Sequence, residues 1–119
     1  MDADELKNRI KKFAHRCVKL VLALSKTGLG NHIKGQLIKC STSAAANYRA
    51  VCIAQSKTNF ISKLSIVIEE TDEACFWMQF IIDEQLLRKQ RVFPLLQEGR
   101  ELTSILVSSR KTARGLKKQ

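Results

Sequence analysis

The sequence predicts an all-α protein folded as an antiparallel up-down-up-down four-helix bundle. Three observations predict it. Four long stretches carry apolar residues at steps of three and four, the connections between them are short, and no alternating apolar–polar run is long enough for a strand. At 119 residues the chain can bury one core but hardly two, so it reads as a single domain, 1–119, with 113–119 a flexible basic tail.

Helix one is written by Leu6, Ile10, Phe13, Cys17, Leu20 and Leu24, whose spacing lays them on one face. It should stop near SKTGLGN, with Gly28 in the left-handed C-terminal position and Asn31 capping the next helix. Helix two continues through Ile33, Leu37, Cys40, Ala44, Asn47 and Val51, and holds six small side chains in a row, Ser41 to Ala46. Small residues let a neighbouring helix approach closely, at the expense of buried apolar area. Asn47 lies on that stripe, and burying its amide without partners would cost about 1–3 kcal/mol. It should therefore bond to Glu70, Glu73 or a helix backbone and fix the register of helices two and three, unless it meets water at the bundle edge.

Helix three starts at a Ser56 or Thr58 cap and runs from Asn59 to near Leu87 with no Gly or Pro, a rod of roughly 45 Å at 1.5 Å per residue. RKQRVF then connects to helix four, where Pro94 suits a first helical turn. Leu95, Leu102, Ile105, Leu106 and Ala113 mark its apolar face, with Gly99 as its one weak point.

Helix three has more apolar circumference than one core needs. Phe60, Val67, Ala74 and Ile81 form one row, Ile61, Ile68, Cys75 and Ile82 a second, and Phe76, Trp77 and Phe80 point elsewhere. Surplus aromatics on a helix are what subunit interfaces use as anchors, so the chain should be a homo-oligomer.

The formal net charge is +10, and the excess is regional. Helix three is acidic through Glu69, Glu70, Asp72, Glu73, Asp83 and Glu84, whereas helices one and four are basic. The topology brings the start of helix one and the end of helix four to one end of the bundle. That gathers Lys7, Arg9, Lys11 and Lys12 with Arg110, Lys111, Arg114, Lys117 and Lys118, places Arg49 and Lys57 near the same end, and lets Arg16 and Lys19 extend the row along helix one. Such a patch binds phosphates with little regard to sequence, and copies of it in an oligomer would add.

Other chemistry is poorly represented. Cys17, Cys40, Cys52 and Cys75 are widely spaced among apolar or small residues and read as free thiols. There is no Gly-rich phosphate loop, no metal-ligand pair at helical spacing and no nucleophile–base set, so neither enzyme activity, cofactor nor metal is expected. The charged N-terminus lacks the apolar run of a secretory signal and no segment is long enough to cross a bilayer, which predicts a cytoplasmic protein away from membranes.

Three segments carry a family resemblance: STSAAANYRA, SKTNFISKLSIVIEETDEACFWMQFI and ELTSILVSSRKTAR. Ser43, Asn47 and Tyr48 in the first, Ser56, Phe60, Lys63, Leu64, Glu70, Glu73 and Trp77 in the second, and Leu106, Ser108 and Lys111 to Ala113 in the third fall in the family's order. The chain resembles the four-helix-bundle proteins encoded by intervening sequences within bacterial 23S rRNA genes. The chain departs from the family pattern at Ala50 and Val51, where an acidic residue is often found, and at Glu69, where a basic one is usual. The resemblance implies a ring-shaped homo-oligomer, a pentamer, and kinship with the accessory variability determinant of diversity-generating retroelements. It points to RNA, foremost rRNA, as the ligand, or else to a scaffold or accessory subunit serving a reverse transcriptase or the ribosome.

Overall fold

The computed structural model describes residues 1–115 and holds four helices: α1 (Ala3–Val21), α2 (Gly28–Val51), α3 (Lys57–Asp83) and α4 (Lys89–Arg114). Each packs on its neighbours in sequence and α1 closes against α4, while the backbones of the diagonal pairs stay apart. The result is the up-down-up-down bundle, 45 × 27 × 21 Å. Its centre is filled by Ile10, Phe13, Ile33, Leu37, Leu64, Met78, Ile81, Leu96, Leu102 and Leu106, all fully buried.

The helix boundaries follow capping chemistry. Asp2 and Glu5 form a reciprocal capping box at the start of α1, with bonds of 2.8 and 2.9 Å. Gly28 is not a left-handed terminator, and Asn31 is not a cap. Thr27 is extended and its Oγ1 accepts the Gly30 N–H at 2.9 Å, so α2 begins at Gly28, ahead of Asn31. Gly30 is required there, because a Cβ would overlap the Ser25 carbonyl oxygen of the incoming turn.

Ser56 caps α3, but the helix ends at Asp83 rather than near Leu87. Gln85 adopts φ 55°, its N–H bonds to the Ile82 carbonyl, and the Leu86 N–H reaches back to Ile81 at 3.0 Å. This is a Schellman turn closed without glycine. α4 starts directly after it, at Lys89, so Pro94 sits in the second turn rather than the first. It is tolerated because it is exposed, as is Gln90, whose carbonyl loses the N–H that a proline lacks. At the other end Gly115, φ 75°, terminates the helix, so Ala113 and Arg114 complete α4 instead of joining a tail. Lys117 and Lys118 lie outside the described residues.

Packing corrects one further expectation and narrows another. Gly99 is not a weak point. It is buried, and a Cβ there would stand 2.7 Å from Cys75 Sγ and 3.0 Å from Phe13 Cε1, so it lets α4 approach α1 and α3. Asn47 is half-buried, the core position beside it being taken by Tyr48. Its Nδ2 donates to the Ser43 carbonyl at 3.0 Å and to Ser43 Oγ at 3.1 Å, and that hydroxyl donates to Glu70 at 3.3 Å. Asn47 thus takes its own helix backbone as partner and reaches α3 only through Ser43. The small run does its packing work at Ser41 and Ala44, both fully buried.

Candidate nucleic-acid interface

α1 shows solvent a face on which Lys11, Lys12, His15, Arg16 and Lys19 are all exposed and Lys7 is half-buried. The steps of three and four that bury Leu6, Ile10, Phe13 and Cys17 necessarily bring these residues together on the opposite side, about 5–6 Å apart. Lys7 has Asp4 at 3.9 Å, a long and weak pairing.

Arg9 does not belong to this set. Its Nε and Nη2 donate to both oxygens of Glu98 at 2.8 Å, and Nη2 also meets Glu101 at 3.2 Å. The guanidinium, raised further by Glu98, serves to tie α1 to α4. Glu98 in turn is held below the ordinary carboxylate value by the hydrogen bonds from Arg9, with the charges of Arg16 and Lys12 adding to the effect. A carboxylate whose folded value is lowered adds stability above its unfolded value and loses it as pH falls through the folded value. Glu98→Gln should therefore cost about 1.5–3 kcal/mol at pH 7, the worth of hydrogen bonds to a charged group. The cost should shrink once the pH is well below 4.5, the ordinary value. Urea denaturation at pH 7 and pH 3 reads this difference.

Two clefts flank the α1 face. Between α1 and α2, Lys7, Asn8, Lys11 and Arg49 surround a floor of Ala45 and Ala46, enclosing about 470 Å³. Between α1 and α4, Arg16, Lys19 and Arg91 surround Leu20 and Leu95. The first exists because the small run of α2 continues outward past the core.

The basic end of α4 is less closely joined to α1 than the sequence suggests. Met1 lies beside Ser108, Ser109 and Thr112, so these ends do share one end of the bundle. Arg9, however, stands level with Glu98 and Glu101, roughly 15 Å of helix short of Lys111. Arg110 turns to α3, donating to Ser65 Oγ at 3.1 Å. Lys111 and Arg114 are exposed.

Two of the remaining motif residues, Glu73 and Trp77, belong to a second surface, on α3. Phe76 is 55% exposed, and its ring lies 5.0 Å from Trp77 and 6.0 Å from Phe80. His32 of α2 packs edge-on to Trp77 at 5.5 Å, and Trp77 Nε1 donates to Glu73 at 3.2 Å. His32 was not legible as part of this group, since its partner is 45 positions away in the chain. Tyr48 is buried and its hydroxyl is pushed up to about 12 by desolvation. Cys17, Cys40 and Cys75 are buried free thiols, also pushed up by desolvation, and Cys52 is free and exposed. Among the described residues no three His, Cys, Asp or Glu converge as a metal would need, and no helix is long and apolar enough to cross a membrane.

No family model and no curated protein sequence matches the chain. A solved structure does. It is a protein of unknown function from the S23 ribosomal protein family of Bacteroides thetaiotaomicron, 27% identical, with a TM-score of 0.82 over 89% of this chain and 98% of that one. That neighbour is consistent with the intervening-sequence family that the sequence resembles.

Proposed function

We propose that this bundle, similar in sequence and fold to the intervening-sequence proteins of 23S rRNA genes, is a non-enzymatic homo-oligomer that binds nucleic acid, with rRNA the favoured ligand. The observation that carries the reading is the α1 face. Lys11, Lys12, Arg16 and Lys19 are exposed there, and among the described residues none of them is paired with a carboxylate. Unpaired cations at a spacing of about 5–6 Å are suited to successive phosphates and release counterions when they bind them. A ring of subunits, five in the resemblance, would present several such faces to one long polyanion. The free thiols fit a reducing cytoplasm as the site of action.

The test is a salt titration with generic RNA. Each phosphate contact contributes about 0.7 to 0.9 to the slope of log affinity against log salt. Replacing Lys11, Lys12 and Arg16 together by alanine should flatten that slope by about 2 and weaken binding at every salt concentration. If wild-type affinity is indifferent to salt, or the triple variant binds as wild type does, nucleic acid is the wrong ligand. The other reading is then a protein scaffold, an accessory subunit of a reverse transcriptase or of the ribosome, whose cationic face meets an acidic protein surface.

A further inference from the structure

We infer that the two clefts beside α1 seat phosphates of the two backbones of a nucleic-acid duplex, so that the ligand is double-helical rather than single-stranded. The inference rests on the nucleic-acid reading above and deepens it. Each cleft is built alike, from two cations of α1 and one arginine of a neighbouring helix: Lys7 and Lys11 with Arg49 of α2, Arg16 and Lys19 with Arg91 of α4. Nothing in helical periodicity alone supplies Arg49 and Arg91. They arrive from opposite flanks of α1, because α2 and α4 are its two packing neighbours.

The clefts are offset as well as opposed. Their centres along α1 differ by nine residues, about 14 Å at the rise of a helix. Because the clefts also lie on opposite flanks of a helix about 10–12 Å across, they stand roughly 17–18 Å apart, far enough to straddle a B-form major groove about 12 Å wide with one phosphate row on each rim. Lys12 and His15 fill the exposed face between the clefts, facing whatever lies over the groove.

Binding a single strand calls for something this face lacks. Proteins that hold unpaired nucleotides stack successive bases on aromatic rings. No Phe, Tyr or Trp is exposed on α1, whose sole aromatic of that kind, Phe13, is fully buried. The exposed aromatic is on α3 instead, where Phe76, with the half-buried Trp77 beside it, stands among Glu69, Asp72 and Glu73, a surface that repels phosphate. Recognition through phosphates with bases left stacked is the mode a duplex permits.

The experiment compares a mixed-sequence 20-base-pair RNA duplex, the DNA duplex of the same sequence and the single RNA strand, by fluorescence anisotropy from 50 to 200 mM salt. Wild type should bind at least one duplex about tenfold more tightly than the single strand. Arg49→Ala and Arg91→Ala should each flatten the duplex salt slope by about 0.9, one lost phosphate each, and the double variant by about twice that. Both side chains are on exposed residues, and thermal melts of the variants check that the bundle is intact. Preference for the single strand, or losses confined to a Lys111→Ala/Arg114→Ala variant, overturns the inference while nucleic-acid binding stands. Absence of binding to all three ligands at 50 mM salt overturns both.

Discussion

Replacing Gly99 by valine should destabilise the bundle by about 3 kcal/mol or more, although glycine is a poor helix former and sits within the interior of α4. Propensity argues the other way, since any side chain would reduce the backbone freedom of the unfolded chain and Gly→Ala in a helix is worth about 1 kcal/mol. Packing outweighs it here. A Cβ would approach Cys75 Sγ to 2.7 Å and the Phe13 ring to 3.0–3.1 Å. Phe13 is fully buried and has nowhere to turn, and forcing extra carbon into a filled core costs about 1–3 kcal/mol before the valine methyls are counted. Gly99→Ala should accordingly be a net loss of about 1 kcal/mol despite its propensity gain. The diagnosis is specific enough to be rescued: Cys75→Ala removes the nearest atom, so the Gly99→Ala/Cys75→Ala pair should be less unstable than the sum of the single variants. Urea denaturation of the four proteins measures the coupling, and a stabilised Gly99→Ala would show that α4 is not pressed against Phe13.

That glycine illustrates where sequence reading ends. The fold was legible because a helix must bury one face, and Leu6, Ile10, Phe13 and Cys17 declare theirs without reference to any neighbour. What a residue meets across the bundle is not written locally. Gly99 reads as weak until Phe13 and Cys75 are placed against it, and Arg9 reads as a free cation until Glu98, 89 positions away, arrives beside it. Helix ends failed for a related reason. Thr27 competed with Asn31 as a cap, and Gln85 turned left-handed in a place that no glycine marks. The exposed cations of α1 were legible, and so was Arg49 near the same end, whereas Arg91, and the way each arginine completes a cleft, depend on which helices pack beside α1.

Phe76→Glu should convert the proposed assembly into a folded monomer. Phe76 is 55% exposed in the single chain, so the bundle itself gains little from its burial and should melt as wild type does. Around it Trp77 and Phe80 are half-buried, and the three rings pack within 6.0 Å of one another, leaving an aromatic patch that a lone subunit does not cover. Aromatic anchors at the centre of an interface typically cost about 2–4 kcal/mol when lost, or about 30- to 1000-fold in the dissociation constant. A carboxylate placed there adds repulsion from Asp72 and Glu73 on the same surface. Sedimentation velocity at low micromolar concentration decides it. A wild type that sediments as a monomer removes the proposed assembly, and a variant that assembles as wild type does places the interface elsewhere. The same variant separates assembly from ligand binding, because the α1 clefts lie on the other helices and stay intact. Affinity for a short RNA that spans one subunit should then be unchanged. Affinity for a long one should fall about 10²-fold or more, the loss that follows when several linked faces are reduced to one.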